Sequence, residues 1–221
     1  MGLTTKKSGG TDFEPTPAGL HQAVCYGVVD IGTREKEYQG SKYDAREVLL
    51  LWELPGIRIE ITKDGDTQDL PRAISKRYTN SLHSKANLCH DLETWRGQVF
   101  TDKELDGFDL KKLLGVNCQL NVIHRKKDDK VYANIGNIVP SNQKKKPENQ
   151  TLFFSFEDFT LDNYEIGLPG NMPEWIQKLV MTCDEWIDLS MAAEDVDKRQ
   201  TEKQEEVAGK PAENIEDDLP F

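Results

Sequence analysis

The sequence predicts a mainly β fold: five strands with a helix between the third and the fourth, then a C-terminal amphipathic helix and a disordered acidic tail. Three observations carry this prediction. Between Leu20 and Val139, runs rich in Val, Ile and Tyr alternate apolar with polar residues, the two-residue period of a half-buried strand. Turn formers such as Pro55-Gly56 and Asp64-Gly65-Asp66 divide those runs. The period lengthens to that of a helix only after Ser84, and again from Asn171 and Pro173 to Ile187.

Taken in order, residues 1–19 mix Gly, Thr, Lys and Pro without periodicity and read as a flexible arm. Leu20 to Ile31 suits a first strand. Tyr43 to Leu54 suits a second, with Val48, Leu50 and Trp52 on one face. Pro55-Gly56 interrupts it, yet Ile57, Ile59 and Ile61 alternate with Arg58 and Glu60, so the strand resumes after a bend or bulge. Ala73 to Thr79 reads as a third strand. Ser84 is placed to cap a helix whose Leu88, Leu92 and Trp95 share a face and which Gly97 ends. Thr101 with Glu104 fits a capping box, and Leu110, Leu113 and Leu114 before Gly115 suggest one more turn. Val116 to His124, with Cys118, Leu120 and Val122 alternating, and Val131 to Val139 form the last two strands around a polar hairpin tip. Strand, strand, strand, helix, strand, strand is the order of an OB fold, a five-stranded small barrel. Other all-β or α+β arrangements share the pattern.

This places an OB-fold body at 20–147, closed by the linker Lys144-Lys145-Lys146-Pro147. An extension follows at 148–193, in which the cluster Leu152 to Phe156 must be covered. Trp175, Ile176, Leu179, Val180, Cys183, Trp186 and Ile187 follow helical spacing there. Cluster and helix are expected to dock on the barrel, with a dimer or partner surface as the alternative. From Glu194 apolar content collapses, so 194–221 reads as a disordered tail.

Composition excludes several classes. In 221 residues no stretch approaches the ~20 apolar residues that span a bilayer, and the N-terminus lacks the apolar core of a secretion signal. The expectation is no membrane partner and a cytoplasmic location. Cys25, Cys89, Cys118 and Cys183 lie 64, 29 and 65 residues apart, a spacing of neither a metal knuckle nor a compact disulfide framework. His21, His83, His90 and His124 show no HExxH or HxH spacing, and no Gly-rich loop leads into Lys-Ser/Thr. Lys63-Asp64-Gly65 lacks the intervening residue of a nucleotidyl-transferase motif and reads as a turn. Nothing here asks for a catalytic centre, a metal or a cofactor.

Net charge is −11, but its distribution is uneven. Residues 20–147 carry 21 basic and 18 acidic residues, net +3; residues 148–221 carry 5 and 19, net −14. Within the body, Arg34, Lys36, Tyr38, Lys42, Tyr43 and Arg46 surround the loop between strands one and two. Lys76, Arg77 and Tyr78 lie on strand three. Arg125, Lys126, Lys127, Lys130 and Tyr132 surround the loop between strands four and five. In an OB fold those loops flank the strand two–three face, the usual oligonucleotide site. Cations neutralise phosphates and rings stack on bases without regard to identity. Tyr26, Trp52 and Tyr132 fit a core position as well as a stacking one.

The chain closes on Glu216-Asp217-Asp218-Leu219-Pro220-Phe221. Exposed apolar residues serve no solvation purpose, whereas Phe221 suits an apolar pocket whose basic rim meets the acids. This tip resembles the Asp-Asp-Ile-Pro-Phe ending of bacterial single-stranded DNA-binding proteins, with Leu219 in place of Ile. Arg77-Tyr78-Thr79-Asn80-Ser81-Leu82-His83, Trp95-Arg96-Gly97, Phe100-Thr101 and Phe108-Asp109-Leu110 through Leu113-Leu114-Gly115 resemble a group of phage-encoded OB-fold proteins assigned to DNA replication, over residues 18–140. The resemblance implies a non-catalytic protein that coats single-stranded DNA in the cytoplasm of a bacterial host. It also implies that the tip recruits host or phage replication and repair proteins. A recombination mediator or strand-annealing accessory protein fits the same surface, and an adaptor without DNA affinity fits the tail alone.

Overall fold

The computed structural model describes residues 14–63, 66–128 and 130–208. The chain forms two compact units, one through Ser155 and one from Phe156. The first is mainly β: β1 (Gly19–Tyr38), β2 (Ser41–Lys63), β3 (Asp66–Thr79), β4 (Asn117–Lys127), β5 (Lys130–Pro140) and β6 (Leu152–Phe154). Its strand order is β3-β2-β1-β4-β5, every ladder antiparallel, with β6 added parallel to β1. A closed barrel is the sequence expectation; the sheet is open, because no ladder joins β3 to β5 among the described residues. Helix α1 (Asn87–Arg96) packs against both of those end strands instead.

Alternation fixes two faces. Val28, Val48, Leu50, Trp52, Leu54, Cys118, Leu120 and Ile138 point to the core with Leu88, Leu92 and Trp95 of α1. The strands outrun the apolar pattern, since β1 and β2 continue as a polar arm to a two-residue turn. There Gln39 and Gly40 both take positive φ, the backbone twist that suits a hairpin. The resumption after Pro55-Gly56 holds: β2 is one strand whose register slips between Leu54 and Arg58. The Asp64-Gly65 turn lies outside the described residues.

Around the helices the local signals mostly hold. Gly97 ends α1 in the left-handed region at φ 70°, where a Cβ is costly. Ser84 does not cap it; Ala86 holds that position, and Ser81 Oγ and His83 Nδ1 accept the preceding backbone N–H groups. The Thr101–Glu104 capping box opens α2 (Asp102–Leu105), and Asp109 caps a 3₁₀ turn at Leu110–Leu113.

Three boundaries differ from the sequence reading. Residues 14–18 are tied down, not free: His124 Nε2 bonds Thr16 O at 2.8 Å, and Arg72 donates to Glu14 O. Residues 1–13 lie outside the described residues. The supposed linker at 144–147 is a strap bound to the sheet. Asn117 clasps Lys145 N and O at 2.9 and 2.8 Å, and the fully buried Glu53 carboxylate accepts from Glu148 N, Asn149 N and Asn149 Nδ2. A buried carboxylate demands such donors. The strap delivers Leu152 and Phe154 into burial as β6, which is how half of the Phe cluster is covered.

The second unit holds α3 (Leu161–Ile166), α4 (Glu174–Val180) and α5 (Asp184–Ala208). The expected single helix over 173–190 breaks at Met181–Cys183, where Thr182 Oγ1 bonds Leu179 O at 2.9 Å and Asp184-Glu185 restarts the helix, acids that favour a helix start. Ile176, Val180 and Cys183 are buried, Trp186 stacks on Phe159 with centroids 5.9 Å apart, and Trp175 and Ile187 stay exposed. Glu194 is not a structural border: the helix continues to Ala208, against the expected disorder from 194. Residues 209–221, with the acidic tip, lie outside the described residues.

All four cysteines are buried, and no disulfide joins them. Burial pushes the Cys25 thiol up to about 12 and the Tyr26 hydroxyl to about 12, the latter helped by the Glu53 charge. A raised value means the folded state holds the proton more tightly. That stabilisation is complete below the ordinary thiol value of 9.0 and is lost as pH climbs towards 12. Native protein is therefore expected to resist a thiol reagent near neutrality and to react at all four cysteines once unfolded, with Tm falling as pH rises above 9.0. Rapid native labelling at Cys25 would contradict this burial.

Candidate nucleic-acid interface

The three basic–aromatic clusters fare differently, because charge pairing and side-chain direction sort them. In the β1–β2 arm, most cations face carboxylates. Lys36 Nζ lies 2.5 Å from Glu47 Oε1, Lys42 Nζ 2.8 Å from Glu35 Oε1, and Arg46 Nη2 2.5 Å from the buried Asp30. Arg34 Nη1 donates to Ile31 O. Tyr38 and Tyr43 are exposed on this arm, Tyr43 in register with Lys36. Arg77 Nη1 approaches Glu47 Oε2 at 3.6 Å, so the first two clusters meet at one buried carboxylate.

Strand three corrects the stacking assignment of Tyr78. Its partner across the ladder is the core residue Val48, it is 3% exposed, and its hydroxyl donates to Asp91 Oδ2 at 2.7 Å. Lys76 Nζ reaches the same oxygen at 2.6 Å and lies over the Tyr78 ring at 5.2 Å. Burial, then the Asp91 charge, pushes the Tyr78 hydroxyl well above its ordinary range. Lys76 thus neutralises a buried helix carboxylate, Tyr78 donates a hydrogen bond to it, and neither takes part in an outer surface. Tyr26 and Trp52 are core residues too.

The β4–β5 hairpin is the reverse case. Arg125, Lys127, Lys130 and Tyr132 share one face: Arg125 pairs with Tyr132 and Lys127 with Lys130, and this row alternates with the buried Leu120 and Val122. Lys126 and Val131 point the other way. All the basic side chains are exposed, Tyr132 is 48% exposed, and none of the four cations has a carboxylate partner among the described residues. This hairpin leaves the end of β1 opposite to the β1–β2 tip.

Lys144, Lys145 and Lys146 on the strap are exposed and equally unpaired among the described residues. Read as linker, they were missed. A narrower charge window finds them: residues 111–146 hold nine basic and two acidic residues, net +7, while residues 20–110 hold 12 and 16, net −4. The mild positive charge of the body belongs to the segment that runs from Lys111 and Lys112 of the 3₁₀ turn through β4 and β5 to the strap.

No family model matches the chain, and no curated protein matches it either.

Proposed function

We propose that this is a non-catalytic single-stranded DNA-binding protein whose sheet is an OB-type barrel with an open seam between β3 and β5. The strand order, the helix after β3 and the approach of β5 to β3 support that architecture. The observation that carries the function is the β4–β5 hairpin: Arg125, Lys127 and Lys130, without carboxylate partners among the described residues, share a face with the half-exposed Tyr132. Unpaired cations release counterions from a phosphate backbone, and an exposed ring on the same face stacks on a base. The cations of the β1–β2 arm offer less, since phosphates must first displace Glu35, Glu47 or Asp30. The acidic tip Glu216 to Phe221 completes the reading as a recruiting segment for replication and repair proteins.

Fluorescence anisotropy with labelled oligo(dT), and with a duplex of equal length, tests the proposal over a salt series. The single strand is expected to bind more tightly, with log K falling against log salt at a slope of roughly −2 or steeper, about 0.7 for each of Arg125, Lys127 and Lys130. Equal affinity for duplex, or a flat salt dependence, would overturn it.

A further inference from the structure

We infer that the single strand lies lengthwise along the outer face of β4–β5, from the hairpin tip to the strap, and not across β2–β3. The inference rests on the single-strand reading above and assigns the path. On β4 the outward row runs Asn117, Gln119, Asn121, Ile123, Arg125, Lys127, alternating with the buried Cys118, Leu120 and Val122. Its ladder partners on the same face are Asn137 opposite Asn121, Asn134 opposite Ile123, and Gln22 of β1 opposite Gln119. Asn134 and Asn137 are exposed. Gln22 and Asn117 are already bonded to Ser141 and Lys145, so the floor offered to base edges is the neutral amides of Gln119, Asn121, Asn134 and Asn137, which donate and accept without repelling phosphates. No carboxylate occurs in β4 or β5.

Both ends of this floor are cationic. At one end stand Arg125, Lys127 and Lys130. At the other, the strap crosses the same face: Asn117 and Glu53, which hold it, are both ladder partners of Val24 and lie on the side away from the core residues Cys118, Trp52 and Leu54. Lys144, Lys145 and Lys146 ride on it. The 11 residues of β4 span about 35 Å at ~3.4 Å each, a length suited to the several nucleotides an OB-type site holds. The β2–β3 outer face offers no such run, because its Arg77 is engaged with Glu47 and the neighbouring Leu49 and Leu51 are buried.

Because the four native cysteines are buried, an introduced surface thiol takes a photo-crosslinker selectively. Asn137→Cys reports the proposed path and Thr79→Cys the outer face of β3, where Thr79 pairs with Glu47. With oligo(dT) of about 16 nucleotides, crosslinks are expected at Asn137→Cys and not at Thr79→Cys. In the unlabelled chain, Lys144→Ala/Lys145→Ala/Lys146→Ala should lower affinity about tenfold or more and flatten the salt slope by roughly 2. Crosslinking at Thr79→Cys alone, or unchanged affinity in the strap variant, would overturn the path while leaving single-strand binding intact. Absence of oligo(dT) binding by the intact chain would overturn both readings together.

Discussion

Tyr78→Ala is expected to lower stability by about 3–5 kcal/mol, the cost of truncating a buried aromatic ring. The ring is 3% exposed beside Val48 and Leu50 on the core face of the sheet, so its loss leaves a cavity that the ladder cannot collapse into. Asp91, itself buried, loses the 2.7 Å bond from the hydroxyl and keeps only Lys76. At roughly 2–4 °C per kcal/mol for a chain of this size, Tm should fall by about 6–20 °C. Tyr78→Phe keeps the ring and removes the donor, so it should cost less, about 1–3 kcal/mol. Thermal unfolding of the two variants separates packing from hydrogen bonding. A Tm close to that of the unaltered chain for Tyr78→Ala would return the ring to the surface. Since Tyr78 faces inward, the fraction of Tyr78→Ala that remains folded should bind oligo(dT) as the parent does.

That result bears on what the sequence could disclose. Lys76, Arg77 and Tyr78 are contiguous and read as one cluster, yet a strand sends neighbours to opposite faces. The signal for Tyr78 was present in the period: it lies two and four residues beyond Lys76 and Ile74, and Ile74 packs on the core. Element order, the helix caps at Gly97 and Thr101 and the bulge after Leu54 were legible because each rests on residues close in sequence. The polar strand ends at 33–42 and 66–72 were not, because ladders there form without an apolar face to mark them. The strap was invisible for another reason: Lys145 and Glu148 are held by Asn117 and Glu53, 28 and 95 residues away. The continuation of α5 past Glu194 lacks an apolar stripe as well, and composition alone read it as disorder.

For the interface, the deciding comparison is between cations that already have a carboxylate and cations that have none among the described residues. Arg125→Ala/Lys127→Ala/Lys130→Ala removes three charges that have no carboxylate partner among the described residues from exposed strand ends, so stability should change by little. Losing three phosphate contacts should flatten the salt slope by roughly 2 and weaken oligo(dT) binding by roughly 50-fold near 0.15 M salt on counterion release alone. Adding Tyr132→Ala should remove a further ~1–3 kcal/mol, the worth of one stacked base. Lys36→Ala and Arg77→Ala should behave in the opposite way. Each strips a partner from Glu47, a carboxylate 1% exposed whose Oε2 already lacks a hydrogen bond. They should therefore destabilise the fold, by about 1–3 kcal/mol apiece, and leave affinity nearly unchanged. Anisotropy titrations of all four variants beside thermal melts measure both quantities. If affinity were instead lost with Lys36 and Arg77 and kept in the hairpin variant, DNA would have to be displacing the Glu47 pairs, and the binding face would move to β1–β2–β3. The physics favours the hairpin because a phosphate that meets an unpaired lysine gains its full electrostatic attraction, whereas one that meets Lys36 must first leave a buried carboxylate uncompensated.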